Sequence, residues 1–114
     1  MQPVMLPKFA CDVRPERDRV IVAPSGEFDL SQAPAVSATL DELVDAGFAH
    51  VVVDLRGLSF LDSSGLHTLI GARQTADARG ARLSLVAGPP DVHRLFEMTG
   101  TEPLFAFDDP DAVL

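Results

Sequence analysis

The segment from Val51 to Leu66 constrains the fold more than any other, because an apolar β-branched run is followed within a few residues by a capped helical pattern. Val51-Val52-Val53-Asp54-Leu55 has the near-continuous apolar character that a strand buried on both faces requires. Downstream, Leu66, Leu69, Ile70 and Ala76 recur at helical spacing as far as Gly80, a residue suited to the left-handed position after a helix. Leu61-Asp62-Ser63-Ser64-Gly65-Leu66 joins the two, so the spacing predicts strand, turn and helix in succession. Asp62 is the expected N-cap, its carboxylate accepting from the unpaired amides of the first turn, with Ser63 and Ser64 inside that turn. Those amides and the helix dipole favour an added anion, so a phosphate placed there would be held by backbone.

The rest of the chain alternates between strand and helix patterns. Phe9 to Val13 and Arg19 to Val22 read as strands, and the polar Arg14-Pro15-Glu16-Arg17-Asp18 between them predicts a hairpin. Ser25 to Leu30 leads into a helix that begins between Ser31 and Pro34, carries Val36, Leu40, Leu43 and Val44 on one face, and closes at Gly47. Arg82 to Val86 makes another strand, and Pro89-Pro90 opens a short helix with Val92, Leu95 and Phe96, ended by Gly100. Leu104 to Phe107 reads as the last strand. Asp109 and Pro110 form an N-cap and N1 pair, but about one turn remains before Leu114, so this segment is expected to fray. Strands that alternate with helices should be parallel with right-handed crossovers. The predicted fold is therefore α/β, a mixed sheet with an N-terminal antiparallel hairpin, parallel βα units and helices packed on the sheet. Loops at the carboxyl ends of its strands are the default place for function, and Asp29 and Ser63 both lie on such loops.

Composition narrows the function classes. A chain of 114 residues with 46% hydrophobic content supports one core, so residues 1–114 are expected to form a single domain. No apolar run is long enough to span a bilayer, and Met1-Gln2-Pro3-Val4-Met5 lacks the regions of a signal peptide. Cys11 is the single cysteine, which excludes an internal disulfide and fits a cytoplasmic setting. The net charge of −8 comes from 17 acidic and 9 basic residues, and the basic ones are scattered. Nucleic acid is thereby disfavoured, and a basic protein surface is the better electrostatic complement.

From these residues the chain resembles the STAS domains of the anti-sigma factor antagonist family. The resemblance runs from Gly26-Glu27-Phe28-Asp29, through Val51 to Leu69, to Val92-His93-Arg94-Leu95-Phe96-Glu97-Met98-Thr99-Gly100, and is most specific at Phe60-Leu61-Asp62-Ser63-Ser64-Gly65-Leu66. It implies that Ser63, which directly follows the aspartate, is the phosphorylated serine, and that Asp29 is an acidic residue near it on the partner surface. It further implies docking on an anti-sigma factor that is also a serine kinase, release of a sigma factor, phosphorylation of Ser63 to end the interaction, and a serine phosphatase to reset it. Asp29, Asp62, Ser63, Ser64, Gly65 and His67 are the partner-binding candidates. Ser31-Gln32-Ala33-Pro34 departs from the more polar run that commonly follows the acidic residue in the family, so contacts from this loop are left open.

Each candidate also has a plainer reading. Ser63 and Asp62 are ordinary residues for a helix start whatever the function. Gly65 is either a tolerated helix glycine, costing about 1 kcal/mol against alanine, or a position where a side chain would crowd the adjacent loop or the partner. His67 follows Ser63 by four residues and so shares its helical face, which invites a nucleophile–base reading, but no orienting carboxylate matches and the Gly-x-Ser-x-Gly elbow is absent. His50, His67 and His93 lack metal-ligand spacing, so neither metal nor cofactor is expected. Asp54 ends a strand as the phosphorylated aspartate of a receiver domain does, yet the required late lysine is missing, Lys8 being the only lysine; a strand-end role toward local backbone is expected instead. Asp12 and Asp18 read as solvated hairpin charges.

Three functions remain distinct: a phosphorylation-switched antagonist without catalysis of its own, a STAS module of another signalling assembly or of a lipid transporter's cytoplasmic subunit, and a hydrolase using Ser63.

Overall fold

The computed structural model describes residues 8–113, and the readings placed on Met1–Met5 and on Leu114 lie outside them. Among the described residues, six strands, β1 (Phe9–Glu16), β2 (Arg19–Phe28), β3 (His50–Asp54), β4 (Leu58–Leu61), β5 (Arg82–Val86) and β6 (Ala106–Phe107), form one mixed sheet in the order β1-β2-β3-β5-β6, with β4 paired to β2 beside this path.

The hairpin is longer than the apolar pattern suggests. β1 (Phe9–Glu16) runs antiparallel to β2 (Arg19–Phe28) from Phe9 opposite Gly26 to Glu16 opposite Arg19. Only Arg17 and Asp18 turn the chain, and Arg17 takes the positive φ of 58° that tight hairpin turns demand. Polar residues 14–16 stay in the ladder because β1 is an edge strand, paired with β2 on one side only, where polar side chains are tolerated. Glu27 donates its amide to the Lys8 carbonyl, so residues in phase with Lys8 bond inward and Pro15, out of phase, leaves its missing N–H on the open edge.

Helix α1 (Ala33–Asp45) follows, then β3 (His50–Asp54) parallel to β2 along Arg19–Val22. The sequence pattern predicts that this strand leads directly into the next helix, but the structure interposes another strand. After a turn in which the Leu58 amide bonds the Leu55 carbonyl, the chain re-enters the sheet as β4 (Leu58–Leu61), parallel to the far end of β2 from Gly26 to Phe28. The ten residues of β2 are long enough to carry β3 on one half and β4 on the other. Strict alternation of strand and helix therefore fails at this point, and Ser63 follows β4 rather than β3.

Helix α2 (Ser63–Ala78), β5 (Arg82–Val86) and α3 (Pro90–Thr99) complete the parallel units, and Gly100 closes α3 with φ of 70°. The last strand, β6, is only Ala106–Phe107, shorter than expected, because Glu102–Leu104 around Pro103 winds into a 3-10 turn. β6 pairs parallel with β5.

One face of the sheet, with Val20, Val22, Val51, Val53, Leu83 and Leu85, packs against Leu40 of α1, Leu69 of α2 and Phe96 of α3. On the other face Ile21, Val52 and Val86 cluster with Val113 and are all fully buried. The expected fraying after Pro110 is thus overturned as far as Val113. Its carbonyl accepts from Arg56 Nη2 at 2.7 Å, and the Ala112 carbonyl accepts from Arg19 Nη2 at 3.1 Å. A buried apolar side chain and two arginine bonds anchor a turn too short to persist alone.

Candidate functional site

The site is the junction of β4, α2 and the loop that leaves β2. Asp62 has extended backbone, and its Oδ1 accepts the Gly65 amide at 3.0 Å, the expected N-cap bond. Its Oδ2 accepts the Leu30 amide at 3.2 Å, while its own amide donates to the Phe28 carbonyl at 3.3 Å. One residue therefore joins the end of β2, the following loop and the first turn of α2.

Asp29 shapes that loop from within. Its Oδ1 accepts the Ser31 amide at 2.9 Å, and its carbonyl accepts the amides of Gln32 and Ala33 at 3.0 and 3.2 Å. These bonds let α1 start at Ala33 although Gln32 supplies no side-chain cap. The loop carries Asp29 to the same end of the sheet as Asp62, with Leu30 as the direct link.

Ser63 is exposed at the first position of α2, and Ser64 is half-buried with its carbonyl accepting from Thr68 Oγ1 at 3.0 Å. Their two amides belong to the helix-terminal set that has no intrahelical acceptor, so the exposed hydroxyl of Ser63 borders a positive dipole end. Gly65 is buried, and a Cβ there would stand 2.5 Å from Leu61 Cδ1 and 3.1 Å from the Phe28 carbonyl oxygen. Crowding against the neighbouring strands explains this glycine. His67 is exposed and makes no hydrogen bond to Ser63 among the described residues.

Sequence reasoning assigned no role to Leu30 or Phe60, which are 69% and 47% exposed. Phe60 turns outward because the register between β2 and β4 slips at Gly26/Glu27: Gly26 faces Leu58, Glu27 faces Phe60, and Ser59 is the extra residue. That bulge breaks the alternation by which a short strand is recognised, so no periodic signal marked β4 or its outward Phe60.

Away from this junction the polar clusters have structural roles. Asp54 accepts the Arg56 amide at 3.1 Å and pairs with its guanidinium at 2.8 Å, as a strand-end residue should. Burial pushes its carboxyl up, but the hydrogen bonds from Arg56 outweigh that and hold it below the usual value. His50, Ser84 and Asp108 contain the residue types of a triad in the wrong order. Ser84 is fully buried and donates to Asp108 Oδ2 at 2.6 Å, while His50 Nε2 lies 2.6 Å from its Oγ and Arg82 Nη2 lies 3.1 Å from His50 Nδ1. Ser84 is a buried donor to Asp108, so this cluster presents no exposed serine nucleophile. Desolvation first, and the Arg82 charge second, lower the His50 pKa against the pull of Asp108. Among the described residues, no group of three or more His, Cys, Asp or Glu side chains could hold a metal ion, and no helix is long and apolar enough to cross a membrane.

Comparison with known proteins gives this geometry a context. The STAS domain family model matches residues 12–110. An anti-sigma F factor antagonist of Paenibacillus polymyxa is 34% identical over 85 residues, covering 74% of this chain and 73% of its own. The crystal structure of an anti-sigma factor antagonist from Mycobacterium paratuberculosis superposes with a TM-score of 0.82 at 25% identity, covering 96% of this chain and 94% of that one. The phosphorylated form of the Bacillus cell fate determinant SpoIIAA shares the fold, with a TM-score of 0.71 at 21% identity over 90% of this chain and 95% of that one.

Proposed function

The chain belongs to the STAS domain family, and from that membership we propose that it is an anti-sigma factor antagonist whose docking is switched by phosphorylation of Ser63. The observation that carries this reading is the exposed Ser63 hydroxyl on the first turn of a helix capped by Asp62. In the unphosphorylated state the surface formed by Asp29, Ser63 and His67 meets an anti-sigma factor, which then releases its sigma factor. Asp62, Ser64 and Gly65 set the shape of that surface from beneath.

The partner's kinase activity transfers the γ-phosphoryl group of ATP to Ser63 Oγ, which loses its proton as ADP leaves. The product carries roughly −1.5 to −2 charge at neutral pH. The first-turn amides accommodate it, whereas Asp29, Asp62 and any partner carboxylate near them repel it. A loss of ~1.4–2.8 kcal/mol lowers affinity tenfold to a hundredfold, within the usual span of regulatory coupling. A serine phosphatase restores the docking state. The protein works in the cytoplasm without catalysis of its own, without direct nucleic-acid contact and without membrane insertion.

Peptide mass spectrometry of the chain purified from its native cells, before and after phosphatase treatment, tests the modification. Phosphate on Ser63 is expected. Its absence under every growth condition, with no kinase able to modify the purified chain, contradicts the switch.

A further inference from the structure

Two exposed apolar side chains lie on the segments that lead to Asp62 and Ser63 or are bonded by Asp62, and the switch does not explain them. Leu30 is 69% exposed and Phe60 is 47% exposed, although most of the chain's large apolar side chains are buried. Each is presented by a specific backbone device. The slip in register at Gly26/Glu27 leaves Ser59 as the extra residue of β4 and turns Phe60 outward, opposite the exposed Glu27. Leu30 sits in a loop whose amide is clamped by Asp62 Oδ2 at 3.2 Å, while Asp29 rigidifies the following turn. Asp62 is thus the residue before Ser63, the holder of Leu30, and two residues beyond Phe60.

We infer that Phe60 and Leu30 are the apolar anchors by which the anti-sigma factor grips this surface, and that Asp62 is a positioning residue that holds Leu30 in place for it. The inference rests on the partner-switching function proposed above and adds which side chains supply affinity. An interface needs desolvated apolar or aromatic anchors for most of its binding energy, and Ser63, Asp29 and His67 offer none. Asp62, which bonds Leu30 and stands two residues beyond Phe60, directly precedes the residue that bears the phosphate, so the added charge enters beside the apolar contact, where desolvating it is costly. The exposed Glu27, together with Asp29 and Asp62, gives the surface an acidic border. The complementary site on the anti-sigma factor is accordingly an apolar pocket rimmed by lysine or arginine.

Binding of the purified anti-sigma factor from the native host, measured by titration calorimetry against the whole unphosphorylated chain, tests this. Phe60→Thr and Leu30→Ser should each weaken binding about tenfold or more. Met98→Ser, which alters a side chain 74% exposed on α3, should leave the affinity unchanged. Both anchor variants alter exposed side chains, and circular dichroism with thermal unfolding confirms that they fold. Ser63→Asp serves as the separate arm for the switch. If Ser63→Asp weakens binding while Phe60→Thr and Leu30→Ser bind like the parent, the switch stands and the anchors are overturned. Sedimentation showing that the two anchor variants abolish only self-association of this chain also overturns the assignment. If Ser63→Asp binds like the parent while the anchor variants lose affinity, the anchors stand and the switch fails.

Discussion

Asp62 holds the amide of Leu30 at 3.2 Å with one carboxylate oxygen while its other oxygen caps α2 at Gly65. An aspartate has two acceptor oxygens and an asparagine has one, so the two bonds separate by substitution. Asp62→Ala should cost about 2 kcal/mol, from a lost cap and a second lost hydrogen bond. Asp62→Asn should cost about half of that. Amide hydrogen exchange provides the check: Leu30 and Gly65 both lose protection in Asp62→Ala, and one of them does in Asp62→Asn. Full protection of both amides in Asp62→Ala contradicts the bridging role.

Two glycines of α2 should respond oppositely to alanine. At Gly65 a methyl meets Leu61 Cδ1 at 2.5 Å and the Phe28 carbonyl oxygen at 3.1 Å, so overpacking of about 1–3 kcal/mol exceeds the gain of about 1 kcal/mol in helix propensity. At Gly71 nothing lies within 4 Å of an added Cβ, and only the propensity gain remains. Urea unfolding should therefore show Gly65→Ala less stable and Gly71→Ala more stable than the parent. Equal shifts in the same direction would contradict the packing account of Gly65.

How much of this was legible in the sequence depends on what each residue's neighbours add. The burial of Val51–Val53, the cap at Asp62 and the closures at Gly47, Gly80 and Gly100 are local properties, and all three helices follow from them. β4 was not legible, since Leu58–Leu61 is held by the spare half of β2 and its alternation is broken by the bulge. The outward Phe60 and the second bond of Asp62 are not legible for the same reason, because they depend on the end of β2 and the loop after it, some thirty residues earlier in the chain. The hairpin's length was underestimated because an edge strand tolerates Arg14, Pro15 and Glu16. Val113 is one apolar residue after a polar turn, and only the folded sheet reveals the patch it covers.

That patch supports a further expectation. Val113→Ala removes two methyl-sized groups from contact with Ile21, Val52 and Val86, which should cost about 2 kcal/mol including the void left behind. Partner affinity should be unchanged, since the patch covers the half of β2 around Ile21 that pairs with β3, away from the half that pairs with β4 and leads to Asp62 and Ser63. A loss of stability too small to measure by urea unfolding would contradict the anchoring of this turn.

Stability should also fall in mild acid through His50. Its folded pKa is depressed below the ordinary 6.5, so the neutral ring's contribution is complete above that value and is lost as pH falls through the depressed one. Asp54, held below the usual 3.8, contributes stability that is lost only at lower pH still. Arg82→Gln keeps a donor for His50 Nδ1 but removes the charge, so the His50 titration should move up and the loss of stability as pH falls below 6.5 should shrink. NMR titration of the His50 ring with unfolding at each pH gives the answer. An unmoved His50 titration in Arg82→Gln would show that Arg82 does not depress it.

One phosphoryl group on Ser63 should decide whether the partner binds. The direct measurement is titration of the purified anti-sigma factor with two preparations of this chain, one stoichiometrically phosphorylated at Ser63 and one fully dephosphorylated. The phosphorylated form should bind tenfold to a hundredfold more weakly, a difference of ~1.4–2.8 kcal/mol. Equal affinity of the two forms would contradict it.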